Sequence, residues 1–508
     1  MLKFAIVFLV VAGLTAMAAA PASTTERMVT GGIVSGETLP DGGTVFRGIP
    51  YAQPPLGELR WKPPAPVIPW QGVRDATKAG PPCIQRSYEW NAADAFDGKE
   101  DCLYLDVQSP KHKPTDRLPV MFWIHGGANR AGSGIGYTDS PITRRGVVLV
   151  TFQYRLGIFG FASLPALTAE SPEHASGNYS IMDQIAALKW VKANIANFGG
   201  DPGNVTIFGQ SAGAQDVGLL MLSPLARGLF HKVIAESGTA GFGVPPRTLA
   251  ENEKIGNDLA ALMGAPAGAD GLKALRAASG EALLDATDKL FPAKNVDPTF
   301  IWLQAVIDGS VLPRAPAEML AGGEQARVPL IIGNAIREFS VEGARNSPRQ
   351  FVEDSFGDKA GEALSLYGFA GTNPPPDDPV LGSIVDQLST DVIFRCPASW
   401  VANRQLAVTQ NVWRYQFSIS APDTVKAVEH SAELKYVFQK TPAGATAAAW
   451  PPLQAYWTNF AKTGNPNERG LPNWPSLGKE TRYIDFTPDG PKLGKDLRGP
   501  ICRLLNAP

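Results

Sequence analysis

Ser211 stands in the run Gly209-Gln210-Ser211-Ala212-Gly213, directly after the apolar stretch Asn204–Phe208 (NVTIF) and directly before AQDVGLLML, whose apolar residues recur at helical spacing. A serine on a tight strand-to-helix turn has its hydroxyl pushed clear of the sheet. Side chains two positions to either side would collide in that turn, which is why glycines flank it. The chemistry open to such a serine is nucleophilic attack on an acyl carbon, with the N–H of Ala212 at the helix start available to a developing oxyanion. A second glycine-rich turn, His125-Gly126-Gly127-Ala128-Asn129, follows the apolar run Leu118–Ile124. Its N–H groups at Gly127 and Ala128 are candidates to converge with that of Ala212 on one oxygen. His125 itself reads as a brace for the loop.

A serine hydroxyl needs a base to take its proton, and the base needs an acid to hold its tautomer. Five histidines are available. His112 lies between lysines in a polar loop, His174 in a Ser/Pro/Gly loop and His231 in a helical stretch. His430 lies beyond the strand-like run Val412–Phe417, where the chain order serine, acid, histidine would put it; the other reading is a histidine in a surface loop. The acid belongs between Ser211 and His430, after a strand. Glu338, in GNAIRE behind the run Val328–Ile332, is the first candidate, and Glu342 and Asp423 are others.

The elements that must position these groups recur as an apolar, β-branched run, a turn and a helical pattern. Leu118–Ile124 and Val147–Phe152 read as strands buried on both faces. Residues 181–196 read as a helix ending in the turn Gly199-Gly200-Asp201-Pro202. This alternation predicts an α/β chain with a large, mostly parallel central sheet flanked by helices, and ligands beyond the carboxyl ends of its strands. No repeat or linker divides residues 23–508, which read as one domain. A formal charge of −2 gives no electrostatic reason to expect nucleic acid or an anionic membrane as partner. Lys3, the apolar stretch Phe4–Ala12 and the small residues that follow read as a secretory signal peptide over residues 1–22, cut after Ala18 or Ala22. An uncleaved anchor would need roughly 20 apolar residues. The expected product is secreted or periplasmic, without stable membrane association. Four cysteines in an exported chain suggest two disulfides, for which three pairings exist. No Cys/His spacing suggests a metal, and the chemistry above requires no cofactor.

Several long, colinear stretches carry a resemblance: FRGIPYAQPPLGELRWKPP (46–64), EDCLYLDV (100–107), WIHGGA (123–128), VTFQYRLGIFGF (150–161), GNYSIMDQ (177–184), NFGGDPGNVTIFGQSAGA (197–214), EHSAELKYVF (429–438) and YWTNFAKTGNPN (456–467). In these the chain resembles the type-B carboxylesterases, the cholinesterase-like α/β hydrolases. The resemblance implies the α/β-hydrolase fold, a triad of Ser211, Glu338 and His430, oxyanion donors Gly127, Ala128 and Ala212, and the disulfide pairs Cys83–Cys102 and Cys396–Cys502. It implies hydrolysis of small-molecule esters through an acyl-enzyme. Alternatives are a lipase acting on aggregated lipid and a non-catalytic binding module on the same fold. Three departures stand out. Gln210 replaces a common glutamate, Asn129 and Arg130 replace a common aromatic, and Ala92 stands where cation-selective members carry tryptophan, with Trp90 nearby. One negative charge and some π surface are then expected to be absent and a guanidinium gained, which disfavours quaternary ammonium ligands. Asn129, Arg130 and Gln210 become candidate substrate contacts, and carboxylate-bearing esters, such as the tricarballylate esters of fumonisins, a candidate class. The other reading turns Arg130 to solvent.

Overall fold

The computed structural model describes residues 25–241, 245–290, 305–371, 373–419, 430–446 and 450–505. The leader read at residues 1–22 and the candidate acid Asp423 lie outside them. Among the described residues, eleven strands form the central sheet: β1 (Glu37–Thr38), β2 (Thr44–Pro50), β3 (Tyr104–Ser109), β4 (Leu118–Ile124), β5 (Val148–Phe152), β6 (Gly200–Gln210), β7 (Lys232–Glu236), β8 (Leu330–Ala335), β9 (Val412–Phe417), β10 (Arg482–Thr487) and β11 (Gly490–Lys495). Their spatial order is β11-β10-β9-β8-β7-β6-β4-β5-β3-β2-β1. Pairing is parallel from β10 across to β5 and antiparallel toward both edges.

Period-two alternation divides each central strand between two cores. Val120, Phe122 and Ile124 of β4 join one apolar cluster, and Met121 and Trp123 join the other. Helix α1 (Tyr179–Asn194) covers the first face with Ile181, Ile185, Leu188 and Val191, and the helix Leu453–Thr463 covers the second with Trp457 and Phe460. Both faces are buried, so these strands carry near-continuous apolar runs. The expected turn at residues 199–202 is shorter than read. Gly199 alone takes a left-handed φ of 81°, and β6 begins at Gly200, which pairs with Leu118. The run read at Val328–Ile332 is displaced forward to Leu330–Ala335, which brings the strand end to within three residues of Glu338. A third, smaller apolar cluster joins the helices Pro348–Phe356 and Ala360–Tyr367 to helix α3 (Cys396–Val408) and helix α4 (Gly499–Leu504). Disulfides Cys83–Cys102 and Cys396–Cys502 are formed.

Candidate active site

Ser211 joins β6 to helix α2 (Ala212–Leu222) at φ 59° and ψ −125°, a strained backbone for any residue but glycine. Its N–H donates to the Glu236 carbonyl of β7 at 2.9 Å, and its own carbonyl accepts from Gln215 N–H at 3.0 Å. The flanking glycines are demanded by backbone contact. A Cβ on Gly213 would lie 2.1 Å from the Ile124 carbonyl oxygen, and one on Gly209 would lie 2.6 Å from the Gly213 carbonyl.

The loop after β4 packs directly on this turn: a Cβ on Gly126 would stand 3.0 Å from Ser211 Cβ. Gly127, Ala128 and Asn129 follow with φ of 113°, 57° and 56°. Three successive residues with positive φ turn the backbone sharply, at a cost for the two that are not glycine. Such a conformation must be held from outside. Gln85 does so, accepting from Gly132 N–H at 2.6 Å and donating to Gly132 O at 3.0 Å, from within the loop closed by Cys83–Cys102. His125 is buried, bonds the Gly126 carbonyl at 2.8 Å and stacks on Tyr154 at 4.3 Å. Burial pushes its imidazole down to about 4, so it stays neutral and braces the loop, as the sequence suggests.

Glu338, the first acid candidate, is brought to a histidine. Its Oε2 lies 2.5 Å from His430 Nδ1, and its Oε1 accepts from Ala335 N–H at 2.8 Å. Its own N–H donates to Thr390 Oγ1 at 3.0 Å. Glu342 begins the short helix Glu342–Asn346. His430 stands between the rings of Phe339 and Phe394, 5.0 and 5.5 Å away. Its Nε2 faces the amide of Gln210 at 3.0 Å, one residue before Ser211. His112 and His231 are engaged elsewhere, with Pro110 O and Val205 N–H.

Residues 23–504 match the carboxylesterase family. The chain belongs to that family. It is a carboxylic ester hydrolase, and the lipase and binding-module readings gain no support. Fumonisin B1 esterase of Sphingopyxis macrogoltabida is 34% identical over 463 residues, spanning 87% of this chain and 83% of that protein. Liver carboxylesterase of Sus scrofa is 35% identical over 509 residues, spanning 91% and 88%. A solved PNB esterase matches with a TM-score of 0.80 at 31% identity, covering 95% of this chain and 99% of the other.

Several features of this carboxylesterase escape the sequence reading, and two of its candidate contacts are buried. Asn129 is 1% exposed and its amide donates to Asp216 at 3.0 Å, so its side chain anchors the loop. Asp216 also accepts from Gln184 at 2.6 Å, and burial pushes its carboxyl up to about 7. Gln210, 3% exposed, spends its amide on His430. The π surface expected to be absent is present: the Trp90 ring lies 3.3 Å from where a Cβ on Gly127 would stand and stacks on Tyr88. Arg130 lies 4.8 Å from the Tyr88 ring centre, so its guanidinium is tied to the same aromatic wall. Two further carboxyls are wholly buried near the histidine. Glu433, three residues after His430, is pushed up to about 7 by burial and by the charge of Glu338. Glu236 is pushed well above its ordinary range by burial and by Glu433, against the hydrogen bond it accepts from Trp457 Nε1 at 2.9 Å.

Proposed function

We propose that Ser211, Glu338 and His430 form the catalytic triad of this carboxylesterase, with the N–H groups of Gly127, Ala128 and Ala212 as oxyanion donors. His430 Nε2 accepts the Ser211 proton as the hydroxyl oxygen attacks the ester carbonyl. The tetrahedral oxyanion is held by the backbone donors, and the same proton passes to the departing alcohol. Water, deprotonated by His430, then releases the acid from the acyl-enzyme. What carries this reading is the Glu338–His430 hydrogen bond, which fixes the proton on Nδ1 and leaves Nε2 as the base beside the elbow. Ser211→Ala and His430→Ala are each expected to lower kcat by about 10⁴-fold or more with an unchanged circular dichroism spectrum. Near-normal ester turnover by either variant would overturn the assignment.

For the substrate we infer a preference for esters whose acyl or alcohol part bears a carboxylate. Support comes from Arg130, held over Tyr88 on the wall that reaches Gly127, and from the similarity to fumonisin B1 esterase. Arg130→Ala should lower kcat/KM for carboxylate-bearing esters at least about tenfold more than for neutral ones; equal loss on both sinks the idea. We also infer export, with residues 1–22 as a cleaved signal peptide and a secreted or periplasmic product. Two disulfides support it, and no helix among the described residues is long and apolar enough to cross a membrane. Protein recovered outside the cytoplasm should begin at Ala19 or Ser23, whereas an intact Met1 there would contradict cleavage.

A further inference from the structure

Away from Ser211, a cleft of about 370 Å³ opens between α3, α4 and the loops beside β9 and β10. Arg414, in the middle of β9, lines it and is 2% exposed. Its Nη2 donates to the Arg395 carbonyl at 2.9 Å, while Nε and Nη1 have no hydrogen-bond partner among the described residues. Buried guanidinium donors normally find acceptors, and a buried cation normally finds a counter-charge.

Among the described residues Arg414 pairs with no carboxylate. Arg395 is fully buried and already pairs with Asp391, which also accepts from Arg498 at 2.7 Å and from Tyr367. Asp496, at the cleft, pairs with Arg503 at 2.8 Å. Arg395 and Arg498 therefore share Asp391, while Arg414 lies beside the like charge of Arg395. Burial and the neighbouring Arg395 lower the Arg414 pKa to about 9, so the group remains charged at neutral pH. An unmatched buried charge of this kind destabilises the fold until an anion meets it.

The rest of the cleft defines the anion. Trp400, Leu477 and Leu505 give it an apolar wall, with Asn403 and Thr481 as polar points. Its volume lies in the range of small-molecule sites, about 300–1,000 Å³. We propose that this cleft binds a small organic carboxylate, its head on Arg414 and its apolar body against Trp400, Leu477 and Leu505. The acids released by ester hydrolysis belong to this chemical class, and the cleft is separate from the Ser211 site, so its occupant need not be a substrate.

The test uses the full chain with benzoate as probe, benzamide as its neutral counterpart, and inorganic phosphate as an anion without an apolar body. Calorimetric titration should give one benzoate bound at the cleft, and Tm should rise with benzoate concentration as mass action requires. Benzamide and phosphate should each bind at least about tenfold more weakly. R414M, which removes the buried charge at similar volume, should fold with a Tm at or above wild type and lose benzoate affinity by at least about thirtyfold. L505A, which leaves the charge in place, should weaken benzoate severalfold by removing part of the apolar wall. Equal benzoate affinity in wild type and R414M would overturn the proposal, as would benzamide or phosphate binding as tightly as benzoate.

Discussion

At His430 the two ring nitrogens face opposite demands. Nδ1 donates a hydrogen bond to a carboxylate that is fully enclosed, while Nε2 receives a hydrogen bond from a neutral amide. The proposed mechanism needs the lone pair of Nε2 for the Ser211 proton. The same amide competes with the Ser211 hydroxyl for that lone pair, so it must turn aside when the serine reacts. Gln210→Glu replaces a donor with a charge that stabilises the imidazolium. The acid limb of kcat/KM against pH should therefore move up by about one unit. A limb that stays in place would show that the Gln210 contact is absent during turnover. Glu338→Gln removes the charge that offsets the imidazolium in the transition state and leaves the tautomer unfixed. It should lower kcat by about 10³–10⁴-fold with little change in Tm, measured on the same ester. Retention of more than a tenth of the wild-type kcat would remove Glu338 from its proposed role.

Each proposed group rides on an element whose visibility in the sequence depended on how local its constraints are. The elbow was legible because strand, glycines, serine and helix are consecutive, and the collision that requires Gly213 lies against the neighbouring strand end at Ile124. Gly213→Ala drives a Cβ onto a backbone carbonyl that cannot move aside. It should cost at least about 3 kcal/mol of stability in urea unfolding; a loss under 1 kcal/mol would mean that the β6–α2 turn opens. The strands were legible too, since apolar runs mark strands buried on both faces, although β8 sits forward of its expected place. Glu338 could be ranked only by its position after that strand. What fixes it was invisible. Thr390, 52 residues away, sits at the start of the π-helical segment Thr390–Arg395 and accepts the Glu338 N–H. Arg395, at the segment's end, donates to the Ile336 carbonyl at 2.6 Å. No short-range pattern announces a contact made through a fold, and Trp90 over Gly127 escaped for the same reason. Thr390→Val keeps the shape and removes the acceptor. We expect kcat to fall about tenfold with KM unchanged, and Thr390→Ser to restore it. A change confined to KM, or one that serine fails to repair, would assign Thr390 a purely packing role.

Across the whole molecule, the buried acids behind the site oppose the covalent ties that hold it. The two disulfides close separations of 19 and 106 residues, and the longer one removes about 4–5 kcal/mol of chain entropy from the unfolded state in the loop-closure treatment. Glu433 works in the other direction. Its carboxyl is raised from its ordinary value to about 7 in the folded protein. Between about pH 4.5 and 7 the native state therefore holds a proton that the unfolded state has released, and stability falls as pH rises through that window. The contribution is complete below the unfolded value and gone above the folded one. Exposed carboxylates such as Asp41, held low by the Gly43 N–H and by Arg144, act with opposite sign at lower pH, so the absolute stability curve mixes both effects. The difference between wild type and Glu433→Gln isolates the buried group, because glutamine reproduces the neutral form at every pH. At pH 4.5 the two should unfold at nearly the same urea concentration. By pH 8 the glutamine variant should be more stable by about 1–3 kcal/mol, the size that a shift of this order carries. A difference that stays constant from pH 4.5 to 8 would mean that Glu433 is ionised in the folded protein throughout, and that the charge of Glu338 does not reach it.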